Sequence, residues 1–163
     1  MTDVKPEVRR QLGLHQQQLV RALILGGPVP AGFDASRVEV TARQLVEKRW
    51  CRVGDLRPAL HRSLGPTGSA RFFSYASAFP LPAGGAEADA LCFCQKAVPA
   101  GELSFEARIE HAAARARYRS PGGGLVPRHG PFVTRVACPV TRRSVLMVRM
   151  PILGQFRLGR AGR

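Results

Sequence analysis

Three kinds of side chain in this sequence could do specific chemistry: four cysteines, four histidines and a dense run of arginines. Cys92 and Cys94 form a C-x-C within ALCFCQKA. Thiolates bind zinc and iron, but side chains two positions apart on a helix diverge by about 200°, which keeps them off one metal ion. Cys51 and Cys138 do not repeat the spacing, and the sequence has no C-x-x-C pair. The cysteines therefore read as reduced core thiols that pack as small hydrophobes. His15, His61, His111 and His129 stand in no H-x-x-x-H or H-E-x-x-H arrangement, so a metal would need ligands from separated segments. The sequence carries no G-x-S-x-G, no G-x-x-x-x-G-K-[ST] and no G-x-G-x-x-G after a strand. Its eleven carboxylates fall mostly on helix surfaces by pattern. These observations argue against a self-contained enzyme and leave the arginines, whose planar guanidinium grips carboxylate or phosphate through paired hydrogen bonds.

The arginines are unevenly placed. From Arg115 to Arg163 there are eleven arginines and no Asp or Glu, a local charge of +11. Residues 1–114 hold the other fourteen basic residues and all eleven acidic ones, a net of +3, which completes the formal +14. Only Lys5, Lys48 and Lys96 are lysine. A GC-rich genome turns surface Lys into Arg, but it does not strip acids from a whole third of a chain. Such asymmetry reports a partner or an electrostatic role rather than a fold. Arg115, Arg117, Tyr118, Arg119, Arg135, Arg142 and Arg143 form the candidate surface for an acidic peptide. The peptide would add as a strand, with backbone pairing supplying affinity and arginines reading its charge. Replacing Arg142 and Arg143 together is expected to weaken that binding and flatten its salt dependence. The alternative partner for this much arginine is nucleic acid, although no recognition helix, zinc finger or paired RNA-stacking aromatics accompanies it.

The elements that must position these residues follow from periodicity. PEVRRQLGLHQQQLVRALIL places Val8, Leu12, Leu19, Leu23 and Ile24 on one helical stripe, which predicts a buried face. Gly13 weakens its middle, and Gly26, Gly27, Pro28 and Pro30 stop it. Asp34 or Ser36 caps a second helix whose stripe is Val38, Ala42, Leu45 and Val46, with a break near Gly54 and Asp55. DLRPALHRSL reads as a short third helix ending in the turn GPTGS. Phe72, Tyr75 and Phe79 face one side of the next segment, and Ala90, Leu91 and Cys94 point inward on the one after. Ser104 caps a last helix with Phe105, Ile109, Ala112 and Ala116 on its stripe. FVTRVAC, SVLMVRM and GQFRLGR are short, β-branched or aromatic, and separated by PVTRR and PILG, so they read as strands. The fold class is α+β: about five helices in residues 1–119, a Gly/Pro linker over 120–130, and a small antiparallel β-unit over 131–163. No segment approaches the ~20 apolar residues of a membrane span, and the start lacks a signal-peptide pattern, so the expected location is cytoplasmic.

Three stretches, LVRALILGGPVPAGFDASRVEVTARQLVEKR, LGPTGSARFFSYASAFPLP and ARARYRSPGGGLVPR, occur in an order that resembles a known family. It is the small, mostly actinobacterial region fused to, or encoded beside, the multinuclear non-heme iron-dependent oxidative enzymes of the DUF692 type. This chain departs from that pattern at Ser120, where the family often carries Asp. The resemblance implies an accessory protein that helps such an enzyme modify a ribosomally made precursor peptide. It implies helices that dock the oxidase and a β-rich part that binds the peptide's leader. The iron then belongs to the partner enzyme, and this chain carries no cofactor of its own.

Overall fold

In the computed structural model, the described residues are 6–121, 124–138, 143–151 and 154–160, with the side chain of Arg160 left aside. Five α-helices come first: α1 (Pro6–Leu25), α2 (Ala35–Leu56), α3 (Pro58–Ala78), α4 (Gly85–Ala97) and, after a short 3-10 turn, α5 (Phe105–Arg117). Five strands follow: β1 (Tyr118–Arg119), β2 (Val126–Pro127), β3 (Phe132–Ala137), β4 (Ser144–Met150) and β5 (Gly154–Arg160). β1 and β2 make a small antiparallel ribbon, and β3-β4-β5 make an antiparallel sheet. The class is α+β, with the helices ahead of the sheet.

Local chemistry sets the helix ends. Asp34 caps α2, accepting from the backbone N–H of Ser36 at 2.9 Å and Arg37 at 3.3 Å. Ser104 caps α5 by accepting from Ala107 N–H at 3.2 Å. α3 has no side-chain cap of its own. The Glu110 carboxylate of α5 supplies one, accepting from Leu60 N–H at 2.9 Å and Ala59 N–H at 3.3 Å. This contact matches negative charge to the positive end of the helix dipole and ties α3 to α5.

The core lies in the helices. Trp50, Phe72, Tyr75 and Phe93 stack and tilt against one another, with ring centroids 5.1 to 5.9 Å apart. Val53, Leu60, Leu64 and Val98 close around them. Gly68 makes room for this packing, because a Cβ there would lie 2.9 Å from the Trp50 ring. A second cluster joins Ala113 and Ala116 of α5 to Met147 of β4, with Ile109 and Phe132 against it. Small residues on α5 thus let the sheet lie close to the helix.

Several expectations need correction. Val8, Leu12 and Ile24 are exposed, and α1 buries only Ala22 fully. Leu19 and Leu23 of that stripe are half-buried, while the aromatic core is complete without α1, and among the described residues Val8, Leu12 and Ile24 stay uncovered. Leu45 is likewise exposed. GPTGS is not a terminating turn: α3 kinks at Gly65 (φ 52°) and resumes from Pro66. Proline suits a first helical position, since its missing N–H would be unpaired there anyway. The break between α2 and α3 falls at Arg57 rather than Gly54. Cys51 is exposed, whereas Cys92 and Cys94 are buried. Part of the 120–130 segment is structured: β2 pairs with β1, and Leu125 packs so closely on Gly84 that a Cβ there would overlap it. Gly122 and Gly123 lie outside the described residues.

Candidate functional site

α5 organises the basic third. Its last carbonyls have no helical partner, and arginines from later segments supply one. Arg128 donates through Nε to the Arg115 carbonyl at 3.0 Å, and its own backbone N–H donates to the Arg117 carbonyl at 2.8 Å. Arg149 of β4 donates through Nη1 to the carbonyls of Ala116 at 3.2 Å and Arg117 at 3.4 Å. Positive charge at a helix C-terminus also complements the helix dipole. The Arg128 guanidinium lies over the Phe132 ring, 4.8 Å from its centroid. Burial, then the neighbouring Arg119, Arg115 and Arg149, lowers the Arg128 pKa.

The candidate residues fall into two groups. Arg115, Arg117 and Arg119 are exposed around the end of α5, with Tyr118 half-buried in β1. Arg117 donates to Gln155 Oε1 at 3.2 Å and so reaches the start of β5. Arg135 is exposed on β3, and Arg143 is exposed just before β4. β3 runs back along α5, because Phe132 sits opposite Arg149 at the α5 C-terminus while the Ala137 carbonyl receives Arg108 Nη1 at 2.8 Å. Arg135 and Arg143 therefore lie toward the other end of that helix. Arg142 lies outside the described residues.

The sheet's two faces differ. Phe132, Thr134, Val136 and Met147 turn toward α5. On the opposite face, strand register aligns Val133, Val148 and Phe156 in one row, and Arg135, Leu146 and Leu158 in the next. Val133 is 63% exposed and Leu158 60% exposed. Among the described residues β5 pairs with β4 alone, so its other side is an open edge. Beside that edge, Arg157, Arg117, Glu110, Ile109 and Leu56 line a cleft of about 330 Å³.

One polar centre was not visible in the sequence. Asp89 of α4 is completely buried. Arg49 grips it in a fork, Nε to Oδ2 at 3.0 Å and Nη2 to Oδ1 at 2.9 Å, and Tyr75 Oη donates to it at 3.1 Å. Burial, then the Asp89 charge, drives the Tyr75 pKa up. The arrangement is closed and internally satisfied, which fits a structural core ion pair. Asp89 is an exception to the expectation that the carboxylates lie mostly on helix surfaces. The available signal was an Asp flanked by alanines and a cysteine-rich apolar run, which has no solvent face to occupy. Burial pushes the Cys94 thiol up to about 12. Cys92 Sγ lies 3.2 Å from Ser120 Oγ and ties β1's exit to α4. Among the described residues no group of three or more His, Cys, Asp or Glu could hold a metal ion. No helix among them is long and apolar enough to cross a membrane.

Residues 13–99, just over half of the chain, match the SCO6045-like C-terminal domain, and the chain belongs to that family. The matched span holds α2, α3 and α4 with Arg49, Tyr75 and Asp89, and it ends before α5 and the arginine-rich third. The chain is also 40% identical over 111 residues to a UPF0276 protein of Streptomyces avermitilis. That stretch covers 68% of this chain and 21% of the relative, so the chain spans about a fifth of the length of the curated relative it matches. No solved structure matches the chain.

Proposed function

We propose that this protein is a non-catalytic accessory subunit that docks on a multinuclear non-heme iron-dependent oxidase and presents a ribosomally made precursor peptide to it. One observation carries the reading: the arginine-rich third folds as a sheet with an open β5 edge, an uncovered apolar face and no carboxylate of its own. An extended peptide added to β5 would pair its backbone with that edge. Its outward side chains would extend the rows that end in Phe156 and Leu158, and its inward ones would meet the cleft beside Arg157. Acidic residues in the peptide would find Arg157 and Arg117 at the cleft, where Glu106 and Glu110 also stand. The exposed stripe of α1, with Val8, Leu12 and Ile24, is a candidate for docking the enzyme. The Streptomyces relative, which carries the matching stretch as about a fifth of a longer chain, supports a part that works beside a larger one.

The test is size-exclusion chromatography of the protein mixed with the iron oxidase of the same genome, at low salt and at about 0.15 M salt. Co-elution at both is the expected result, and the precursor peptide added next should shift into the complex peak. Separate elution, with nucleic acid travelling alongside this protein, would replace the reading with nucleic-acid binding, whose affinity falls steeply with salt.

A further inference from the structure

The arginines at the end of α5 are arranged for more than capping. Arg149 uses Nη1 on the carbonyls of Ala116 and Arg117, and its Nε is buried with no hydrogen-bond partner. Nε and Nη2 form the side of the guanidinium fork that grips an oxyanion through two parallel bonds. A buried donor left unpaired costs free energy comparable to a lost hydrogen bond, so the position calls for an acceptor. Arg128 holds its own Nε on the adjacent Arg115 carbonyl at 3.0 Å. The Arg119 guanidinium comes within 3.9 Å of where a Gly130 side chain would begin, so it lies over the same loop. Among the described residues none of Arg115, Arg119, Arg128 and Arg149 has an ion-pair partner, and the chain has no acid after Glu110. Three carbonyl dipoles offset part of this charge, but among the described residues no carboxylate pairs with these guanidiniums. Mutual repulsion among these guanidiniums is what lowers Arg128 beyond the effect of its burial.

We propose that Arg149, Arg128 and Arg119 form an oxyanion site at the C-terminal turn of α5 that takes a single carboxylate or phosphate group. This site is separate from the β5 edge and does not need peptide addition there. It rests on the reading above only for one source of the oxyanion, an acidic side chain of the peptide.

The probe is inorganic phosphate. Thermal unfolding of the full chain is followed in phosphate and in chloride at matched ionic strength, for the wild type and for Arg119→Gln. Phosphate stabilises proteins generally by exclusion from their surface, so the reading is the excess over the variant. A saturable rise of about 2–4 °C in the wild type, absent in Arg119→Gln, is the expected result. Arg119 makes no carbonyl contact at the α5 end, so its replacement should leave the fold intact, unlike Arg149→Gln, which removes a cap. No rise beyond chloride, or the same rise in the variant, overturns the site. An octapeptide alternating Val and Glu is then competed against phosphate, with the Val–Gln octapeptide as control. Competition by the Glu peptide alone supports the site with a peptide carboxylate as its oxyanion. Peptide binding without competition supports the site with free phosphate as its oxyanion and leaves the sheet-edge reading standing. Phosphate binding with neither peptide bound would remove the sheet-edge reading and keep the site.

Discussion

The side chains that decide whether this fold holds are those whose charge has no water to retreat to. Asp89 is buried against Arg49, and the pair is useful only while both members are present. Asp89→Ala is expected to cost about 3–5 kcal/mol, because it leaves the Arg49 guanidinium in the core with only the Phe79 carbonyl to bond. The loss should be read as a lower urea midpoint at unchanged slope. Arg49→Met combined with Asp89→Leu should recover most of it, since an apolar pair needs no counter-charge. A single-mutant cost within the ±0.5 kcal/mol of ordinary surface substitutions would mean the pair contributes little. His111 provides a pH handle. Burial, then the charges of Arg115 and Arg57, lowers its pKa to about 4. It is therefore neutral in the fold while the unfolded chain takes up a proton below about 6.5. The unfolded state binds more protons across that window, so stability falls as pH drops from about 6.5 to 4 and levels off below. The loss amounts to at most about 3 kcal/mol. His111→Gln should flatten a plot of unfolding free energy against pH in that window and leave the acid limb below it.

Elements meet at a few tight joints, and the tightest is between the start of α4 and the ribbon. A Cβ at Gly84 would overlap Leu125 and Ala88. Gly84→Ala is expected to cost about 1–3 kcal/mol by overpacking. Its second signature would be local: hydrogen exchange at the Arg128 amide, bonded to the Arg117 carbonyl at 2.8 Å, should speed up while amides near Phe72 keep their protection. Uniform loss of protection would show that the ribbon and body unfold together. The same joint marks where sequence reading stops. β3, β4 and β5 are legible because each is a short run of six or seven residues rich in β-branched or aromatic side chains and bounded by turn residues. β2 is two residues long and contains Pro127, so it has no period to read, and only its partner β1 defines it. The stripe on α1 is legible as well, but amphipathicity says that a face seeks cover, not what covers it. Charge density singled out Arg115, Arg117 and Arg119, which lie exposed around the end of α5. Arg128 and Arg149 were missed because their roles depend on the unpaired carbonyls of a helix dozens of residues away from Arg149. Those carbonyls were themselves predictable, since every helix leaves its last ones unpaired.

At the scale of the molecule the chain is a helical body with its own aromatic core and a sheet that leans on one helix. The main cluster draws on residues from Trp50 to Val98, all in α2 to α4 and the turn after them. Among the described residues the sheet meets the body chiefly through α5: Met147 and Phe132 cover Ala113 and Ala116, and Arg149 and Arg128 cap its end. A fragment of residues 1–117 keeps the Trp50, Phe72, Tyr75 and Phe93 contacts and loses that cover, those caps, and the contacts of Leu125 with Gly84 and Ser120 with Cys92. It is expected to unfold cooperatively, with a Tm lower by on the order of 10 °C, because α5 frays from its C-terminus and loosens the Glu110 contacts to Ala59 and Leu60. The complementary fragment of residues 118–163 has three full strands and eleven arginines less Arg115 and Arg117, and it has no helix to cover its inner face. A sheet of that size is marginal without such packing, so it should show no cooperative transition alone. Near-UV circular dichroism during heating checks both, since Trp50 and Tyr75 report the body's packing. A first fragment without a sharp transition would make body and sheet one folding unit. A sharp transition leaves a body that stands without the sheet, and then an effect of added peptide on the full chain's Tm reaches that body chiefly through α5.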